Sequence, residues 1–329
     1  MSTRLALLEL LADGAFHSGT ALGDALGISR AAVHKAVESL ADQGLELHRV
    51  TGRGYRLVTP ATPLRRSVIE AALAVHLPGL PIEVLETVDS TNQFLLREAG
   101  PQAGPAVCLA EVQTAGRGRR GRSWAASPYR NLTFSLRWRF EAGPAALAGL
   151  SLVAGLAVHE ALQVLGVRSA GLKWPNDLLW QGRKLAGLLA EVRGELGGPS
   201  LAVLGVGINV HVAAAAAAEI DQPWVDLATV LGAPCDRNTL AVQVILALAR
   251  AFERFGRDGF APFQTLWERA HLFQGQDVLL SEGERRHEGR VLGVEATGAL
   301  RLRLRDGGER SFHAGEVSLR PLPQPLASA

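Results

Sequence analysis

Apolar positions in the first 60 residues recur at helical spacing and then switch to strand spacing. Leu5, Leu7, Leu8 and Leu11 give a first helix a core-facing stripe, which Gly14 ends. Ser18 is placed to cap a second helix carrying Leu22 and Leu26. After the Gly27-Ile28 corner, Ser29 is placed to cap a third helix running to about Gln43. Segments 45–50 and 54–58 then read as two strands around Thr51-Gly52-Arg53-Gly54, a hairpin with a basic tip. Thr59-Pro60-Ala61-Thr62-Pro63 follows as a linker.

Beyond the linker, from about 65 to 270, apolar strand runs (106–112, 132–138, 201–210) alternate with helical stretches (145–165, 237–257), the pattern of an α/β domain. The alanine run 213–218 reads as a plain helix. After about Leu272 the pattern shortens to strands at 277–281, 286–294, 300–305 and 309–314 separated by glycine-containing turns, as in a small β-barrel. The fold class is therefore multidomain α+β. Residues 1–64 form a winged helix-turn-helix with its linker, and 65–271 a central domain on a mixed sheet. Residues 272–322 form a small SH3-like barrel, and 323–329 a tail.

Composition narrows the function. Lys+Arg 34 against Asp+Glu 32 leaves a net charge of +2, so anion binding has to come from local clusters. Cys108 and Cys235 are the only cysteines, which excludes disulfide frameworks and zinc fingers. No run approaches about 18 uninterrupted apolar residues, so no membrane partner is expected, and a cytoplasmic location is. Residues 1–60 hold six basic and six acidic side chains. Their order matters more than their sum. Arg30, His34 and Lys35 lie in the first half of the third helix, and Glu38 and Asp42 in the second. DNA is usually read from the start of such a helix, which makes Ser29, Arg30, His34, Lys35 and, on the wing, Arg53 the candidate DNA contacts. One such module offers few phosphate contacts, so a dimer is expected.

Four central segments carry candidate chemistry. Gly116-Arg117-Gly118-Arg119-Arg120-Gly121-Arg122 sets forked donors on a backbone that can approach an anion closely. No Gly-Lys-Ser/Thr follows, so it is not a P-loop. In Lys173-Trp174-Pro175-Asn176-Asp177, the proline must stop or bulge a strand, leaving Asn176 and Asp177 at a bend facing a pocket. Lys184 then opens a strand paired across 181–183, with Gly187 expected on the opposite face. Gly205 and Gly207 share one strand face, so a flat ligand or a closely packed helix lies against them. In Asp89-Ser90-Thr91-Asn92 a hydroxyl is expected to cap the helix that follows, and the same group can hold a polar head group.

In this order, these segments resemble the bifunctional biotin–protein ligases that also repress the biotin operon. The likeness extends from Phe16-His17-Ser18-Gly19 through Gly52-Arg53-Gly54-Tyr55 to Gly315-Glu316-Val317-Ser318-Leu319-Arg320. It implies a biotin–[acetyl-CoA-carboxylase] ligase that uses biotin, ATP and Mg²⁺ and proceeds through biotinyl-5′-AMP. The acceptor is a lysine of the biotin carboxyl carrier protein. By the same likeness, Ser90, Thr91, Asn92, Gln113, Gly116, Arg117, Gly118, Arg119 and Lys184 contact biotin or its adenylate, and Gly187, Gly205 and Gly207 line the biotin slot. Asn176, Asn209 and Trp224 fall on the adenosine side, and Glu316 and Arg320 match positions near nucleotide or acceptor. Lys184 and Arg119 take charge-neutralising roles and Asp177 that of the base; Mg²⁺ arrives with ATP rather than in a protein cluster. The adenylate-bound form is implied to be a homodimer on operator DNA. Three alternatives stand beside this: a ligase with a purely structural amino-terminal domain, a non-catalytic biotin sensor, and a lipoate or octanoate transferase. The arginine loop and the Lys-Trp-Pro-Asn-Asp segment weigh against the last.

Overall fold

The computed structural model describes residues 2–59, 61–100, 102–195, 197–313 and 317–321. Glu316 and the 323–329 tail lie outside them. At the amino terminus, α1 (Thr3–Leu11), α2 (Gly19–Leu26) and α3 (Arg30–Asp42) precede a hairpin of β1 (Leu47–Val50) and β2 (Gly54–Leu57). Ser2, Ser18 and Ser29 each cap a helix by accepting from the backbone N–H three residues on. That satisfies one orphan donor per helix and fixes where each begins. Gly27, left-handed at φ +66°, turns the chain between α2 and α3. Leu7, Leu8, Leu11, Leu22, Val33, Val37 and Leu40 are buried together as this unit's own core.

The central domain comprises α4 (Arg66–Leu73), β3 (Ile82–Val88), α5 (Thr91–Arg97), β4 (Ala106–Gln113), β5 (Leu132–Phe140), α6 (Leu150–Val164), β6 (Ala170–Lys173), β7 (Asp177–Trp180), β8 (Arg183–Gly194), β9 (Ser200–Ile208), α7 (Ala214–Ala217), α8 (Leu227–Leu231), α9 (Arg237–Asp258) and α10 (Ala261–Ala270). Its seven strands run in the order β3-β4-β5-β9-β8-β7-β6; β3 and β4 pair in parallel and the remaining neighbours antiparallel. Strand alternation sorts the two faces. Phe134, Leu136, Leu204, Val206 and Ile208 join α6 and α9 in the main core, whereas Thr133, Ser135, Gly205 and Gly207 turn to the other face under α5. That second face carries the polar chemistry.

The helical stretch expected from 145 divides at Gly149. There a left-handed φ of +89° separates a 3₁₀ turn, Pro144–Leu147, from α6. Pro144–Val164 is long and apolar enough to cross a membrane (21 residues, mean hydropathy 1.7), yet two-thirds of it is buried in this fold. Among the described residues, it is the core helix of the domain. Strands β10 (Asp277–Glu282), β11 (Arg285–Val294), β12 (Leu300–Leu304), β13 (Glu309–Phe312) and β14 (Val317–Pro321) form an antiparallel sheet in the order β13-β12-β11-β10-β14.

The linker is firmly held at its carboxy-terminal end. Arg237, 2% exposed, donates to the Thr62 and Asn131 carbonyls and pairs with Glu111 at 2.8 Å. Glu111 also accepts from the Leu64 amide (2.6 Å), and Asn238 accepts from the Arg65 amide and donates to the Pro63 carbonyl. Every buried charge in this group has a partner, the condition under which such charges are tolerated. A second tie joins the units directly: the buried Tyr129 hydroxyl lies 2.7 Å from Gln43 at the end of α3 and 3.2 Å from Glu86 on β3.

Candidate active site

A cavity of about 290 Å³ opens on the polar face of the seven-stranded sheet. Its floor is β5, β9 and β8, its wall the start of α5 and the end of β4, and its roof the arginine loop. Fourteen of the fifteen ligand-site positions inferred from sequence meet here. Ser90, Thr91, Asn92, Gln113, Arg117, Gly118, Arg119, Asn176, Lys184, Gly187, Gly205, Gly207, Asn209 and Trp224 line the cavity. Gly116 abuts the lining instead: a Cβ there would lie 2.7 Å from the Trp124 carbonyl, so only glycine lets this turn close. Asp177 sits at the edge, paired with Lys184.

Bulging of β8 creates the central pair. Leu178 faces Ala186 while Leu179 faces Lys184, so Leu185 is the extra residue. Simple alternation puts Lys184 and Gly187 on opposite faces; the inserted residue inverts the phase and brings both to the polar face. A Cβ on Gly187 would lie 3.1 Å from Lys184 Cε. Lys184 Nζ thereby reaches Asp177 at 2.9 Å, each side chain 12% exposed. The Lys184 ammonium also lies 5.5 Å from the centre of the Trp124 ring. Next to this pair, burial lowers the Lys173 pKa while Asp177 raises it and Lys184, Arg320 and Arg122 lower it. Cations therefore outnumber carboxylates here, the electrostatics of a site for several negative charges.

At the other end, the hydroxyls expected to cap α5 are used differently. Ser90 occupies the N-cap position but its side chain makes no capping bond. The Thr91 hydroxyl and amide both donate to Gln113 Oε1, at 3.1 and 2.9 Å. Ser135 Oγ lies 2.7 Å from Thr91 Oγ1 and 2.6 Å from Asn92 Oδ1. The short helix instead begins beside Asp89, whose carboxylate accepts from the Ser90 amide and from Arg97, depressing its pKa to about 2. Asn92 Nδ2 donates to the Leu189 carbonyl and to Glu191. This interlocked set fixes a row of polar groups before any ligand arrives.

The two glycines of β9 have different neighbours. A Cβ on Gly205 would lie 2.6 Å from Asn92 Oδ1, at the start of a helix, whereas one on Gly207 would fall inside the Trp124 indole. The arginine loop folds as a tight hairpin, with Gly118 N–H donating to the Arg122 carbonyl and Trp124 N–H to the Gly116 carbonyl. From it, Arg117 pairs with Glu191 at 3.3 Å and Arg119 donates to Asn176 Oδ1 at 3.2 Å. Burial lowers the pKa of Arg119 against the raising effect of Asp177. Asn209 is 3% exposed and donates to the Lys184 and Val225 carbonyls, tying the Trp224 segment to the lysine strand.

Sequence reading missed Trp124, Glu191 and Ser135, and gave Lys173 no role within its motif. Trp124 carried a usable signal, an aromatic two residues past the arginine loop. Glu191 did not, because only the length of β8 brings it back under Arg117. On the winged helix, Arg30, His34, Lys35 and Arg53 are exposed, while the Ser29 hydroxyl accepts from Ala32 N–H. Arg53 also lies over Phe16, 4.3 Å from its centre, which stiffens the wing tip. Arg320 is on β14, and no cluster of three or more metal-ligating side chains occurs among the described residues.

Comparisons with known proteins agree with this layout. Residues 84–209 match the model of the biotin/lipoate A/B protein ligase family, 3–56 an HTH domain, and 275–320 the biotin protein ligase C terminal domain. The chain is 42% identical to the bifunctional ligase/repressor BirA of Escherichia coli, over 96% of this chain and 97% of that protein. It is 30% identical to that of Bacillus subtilis, over 94% and 96%. The biotin protein ligase from Aquifex aeolicus, solved in complex with biotin and ATP, superposes with a TM-score of 0.62 at 30% identity, covering 73% of this chain and 99% of that one. The chain belongs to the family of bifunctional biotin ligase/repressors.

Proposed function

We propose that the cavity holds biotin and ATP together and that the Lys184–Asp177 pair serves both half-reactions of biotin ligation. The observation that carries this reading is the pair itself: one cation and one carboxylate, 2.9 Å apart and nearly dry, at the meeting point of the glycine floor and the arginine loop. In the first step a biotin carboxylate oxygen bonds to the α-phosphorus and the bond to the bridging oxygen breaks, releasing pyrophosphate. Two anions must approach, so Lys184, Arg117 and Arg119 neutralise the carboxylate and phosphate oxygens. Gly187, Gly205 and Gly207 leave room for the flat bicycle, and Ser90, Thr91, Asn92 and Gln113 hold its polar end. Asn176, Asn209 and Trp224 form the adenosine side. Mg²⁺ would enter on the phosphates and offset their charge; Asp177 and Glu191, at the cavity's edge, are already paired with cations, and the carboxylates that line the cavity are Glu219 and Asp221.

In the second step the amine of a lysine on the biotin carboxyl carrier protein attacks the acyl carbon, forming the amide while AMP leaves. Asp177 takes the proton once Lys184 has turned to the phosphate. The protein binds operator DNA through α3 and the wing as a cytoplasmic, adenylate-bound homodimer. A two-fold pair doubles the few cations each neutral domain contributes. The test is Asp177→Asn. Transfer from preformed adenylate to carrier is expected to slow about 10²–10⁴-fold, with biotin affinity changed far less. Equal losses in both would remove Asp177 from the role of base.

A further inference from the structure

Glu191 stands toward the opposite end of β8 from Lys184, outside the lining of the ligand cavity. Beyond the bulge at Leu185, strand alternation carries Gly187, Leu189 and Glu191 to the polar face. Its pairing partner on β9, Val203, is buried with Leu95 and Leu96 of α5, which marks the same face. The two carboxylate oxygens serve different elements. Oε2 accepts from Asn92 Nδ2 at 2.8 Å, at the start of α5, and Oε1 pairs with Arg117 Nη1 at 3.3 Å, on the arginine loop. One side chain on the floor strand thus reaches both the wall and the roof of the cavity.

The link to Asn92 fixes an orientation. Nδ2 also donates to the Leu189 carbonyl at 3.2 Å, and Oδ1 lies 2.6 Å from Ser135 Oγ. The Leu189 carbonyl and the Glu191 carboxylate can only accept, so the amide nitrogen must face them and the amide oxygen must face Ser135. Ser135 is buried and lies 2.7 Å from Thr91 Oγ1, so the polar row running from Thr91 ends on Glu191.

The link to Arg117 is of another kind. The Arg117 side chain is 48% exposed and that of Glu191 25%, and a pair so placed contributes little to stability. Its effect is to hold the loop in place. The bonds from Gly118 N–H to the Arg122 carbonyl and from Trp124 N–H to the Gly116 carbonyl shape the hairpin without attaching it to the wall. Arg119 holds one flank of the hairpin on Asn176, and Arg117 holds the other on Glu191.

We propose that Glu191 is a positioning residue for ligation: through one carboxylate it sets the polar row and the arginine roof relative to each other. This rests on the reading of the cavity as the site of biotin and its adenylate. The two links have separate consequences. Without an acceptor for Asn92 the row that receives biotin loosens. Without a partner for Arg117 the roof loosens and admits water to the mixed anhydride.

The test compares the full-length wild type with Glu191→Gln and Glu191→Ala through two readouts. These are KM for biotin in adenylate formation, and hydrolysis of bound adenylate when no carrier is present. Glu191→Gln leaves an oxygen to accept from Asn92 but no charge for Arg117. It is expected to speed hydrolysis about fivefold while KM for biotin stays within about twofold, the scale of one partly exposed ion pair. Glu191→Ala removes both links and is expected to raise KM for biotin about tenfold as well. In an Arg117→Met background, Glu191→Gln should add nothing to hydrolysis, because a positioning residue acts only through the group it positions. A side chain that merely stabilised the fold would move both readouts together and add its effect to that of Arg117→Met. Either of those results, or a Glu191→Ala variant with both readouts unchanged, would overturn the assignment. A wild type that forms no adenylate would instead overturn the reading of the cavity, and this assignment with it.

Discussion

The ligand cavity and the first half of α3, which the proposed function sets against anions, present their cations by opposite means. In the cavity Lys184 and Arg119 are largely withdrawn from solvent, Arg117 is exposed, and each is held in place: Lys184 by Asp177, Arg117 by Glu191, Arg119 by Asn176. On α3, Arg30, His34 and Lys35 stand in solvent, and acidic residues follow them on the same helix. Pre-set charges in a water-poor site act strongly and need no reorganisation when charge develops. Exposed charges act weakly, are screened by salt, and gain effect only by number. A single residue should therefore matter greatly in the first region and little in the second.

Replacing Lys184 tests the stronger half of that contrast. Lys184→Met keeps the length of the stem but removes the ammonium, leaving Asp177 without its partner. Adenylate formation is expected to fall by about 10²–10³-fold, the scale seen on deleting one pre-organised charge-stabilising donor. Pyrophosphate release measures it. DNA binding in the presence of biotin and ATP should fall with it, while binding with synthetic adenylate should be retained in part. A loss under tenfold in adenylate formation would mean that the arginine loop alone neutralises the phosphate.

How much of this was legible in sequence follows the same division. Capping serines, strand alternation and the linker position are local properties, and α1 to α3, β4, β5, β9 and α9 stand close to where those signals put them. The cavity's membership was legible too, because short motifs carry it. Its geometry was not. The bulge at Leu185 changes which face Lys184 takes, and nothing in the order Arg-Lys-Leu-Ala-Gly announces an inserted residue. Ser90 reads as a cap until Asp89 is seen beside Arg97.

Acid stability separates the two regions by another route. His271 is stacked on Trp267 with ring centres 4.6 Å apart, and burial, offset in part by the Gln274 side chain, depresses its pKa from 6.5 to about 4. Its folded form is the neutral one. Above pH 6.5 the residue is neutral whether folded or not and contributes no pH dependence. As pH falls below 6.5 the unfolded chain gains the proton first, so stability is lost, by about 2 kcal/mol at pH 5. His159, whose pKa burial also lowers, adds in the same direction. The winged helix has no buried histidine, as His17, His34 and His48 are at least partly exposed. All six tryptophans lie between residues 124 and 267, so their fluorescence in urea follows the central domain. His271→Phe should reduce the drop in stability between pH 8 and pH 5 by about 2 kcal/mol in that signal. An unchanged drop would mean that another buried histidine, His159 first, and not His271, sets the acid limit in this range, because pairs such as Asp89–Arg97 lose stability only below about pH 4.

The smallest effect belongs to the exposed helix, and its signature is in the salt dependence rather than the affinity. Lys35→Ala removes one solvated charge from α3 without touching the core, because the side chain is exposed. If Lys35 meets a phosphate in each half of a dimer, the slope of log K against log salt should shrink by about 2, or about 1 for a monomer. The factor of two is the informative quantity, since it counts copies of the helix on the DNA. Ligase rate should be unaffected, because no part of α3 lines the catalytic cavity. Arg30→Ala is expected to behave alike if it too meets phosphate, and to relax preference at one base pair per half-site if it reads a base edge. Titrations at three salt concentrations with operator and scrambled DNA distinguish these. A slope unchanged by either substitution would place the cations that hold the DNA on the wing, beginning with Arg53, rather than on α3.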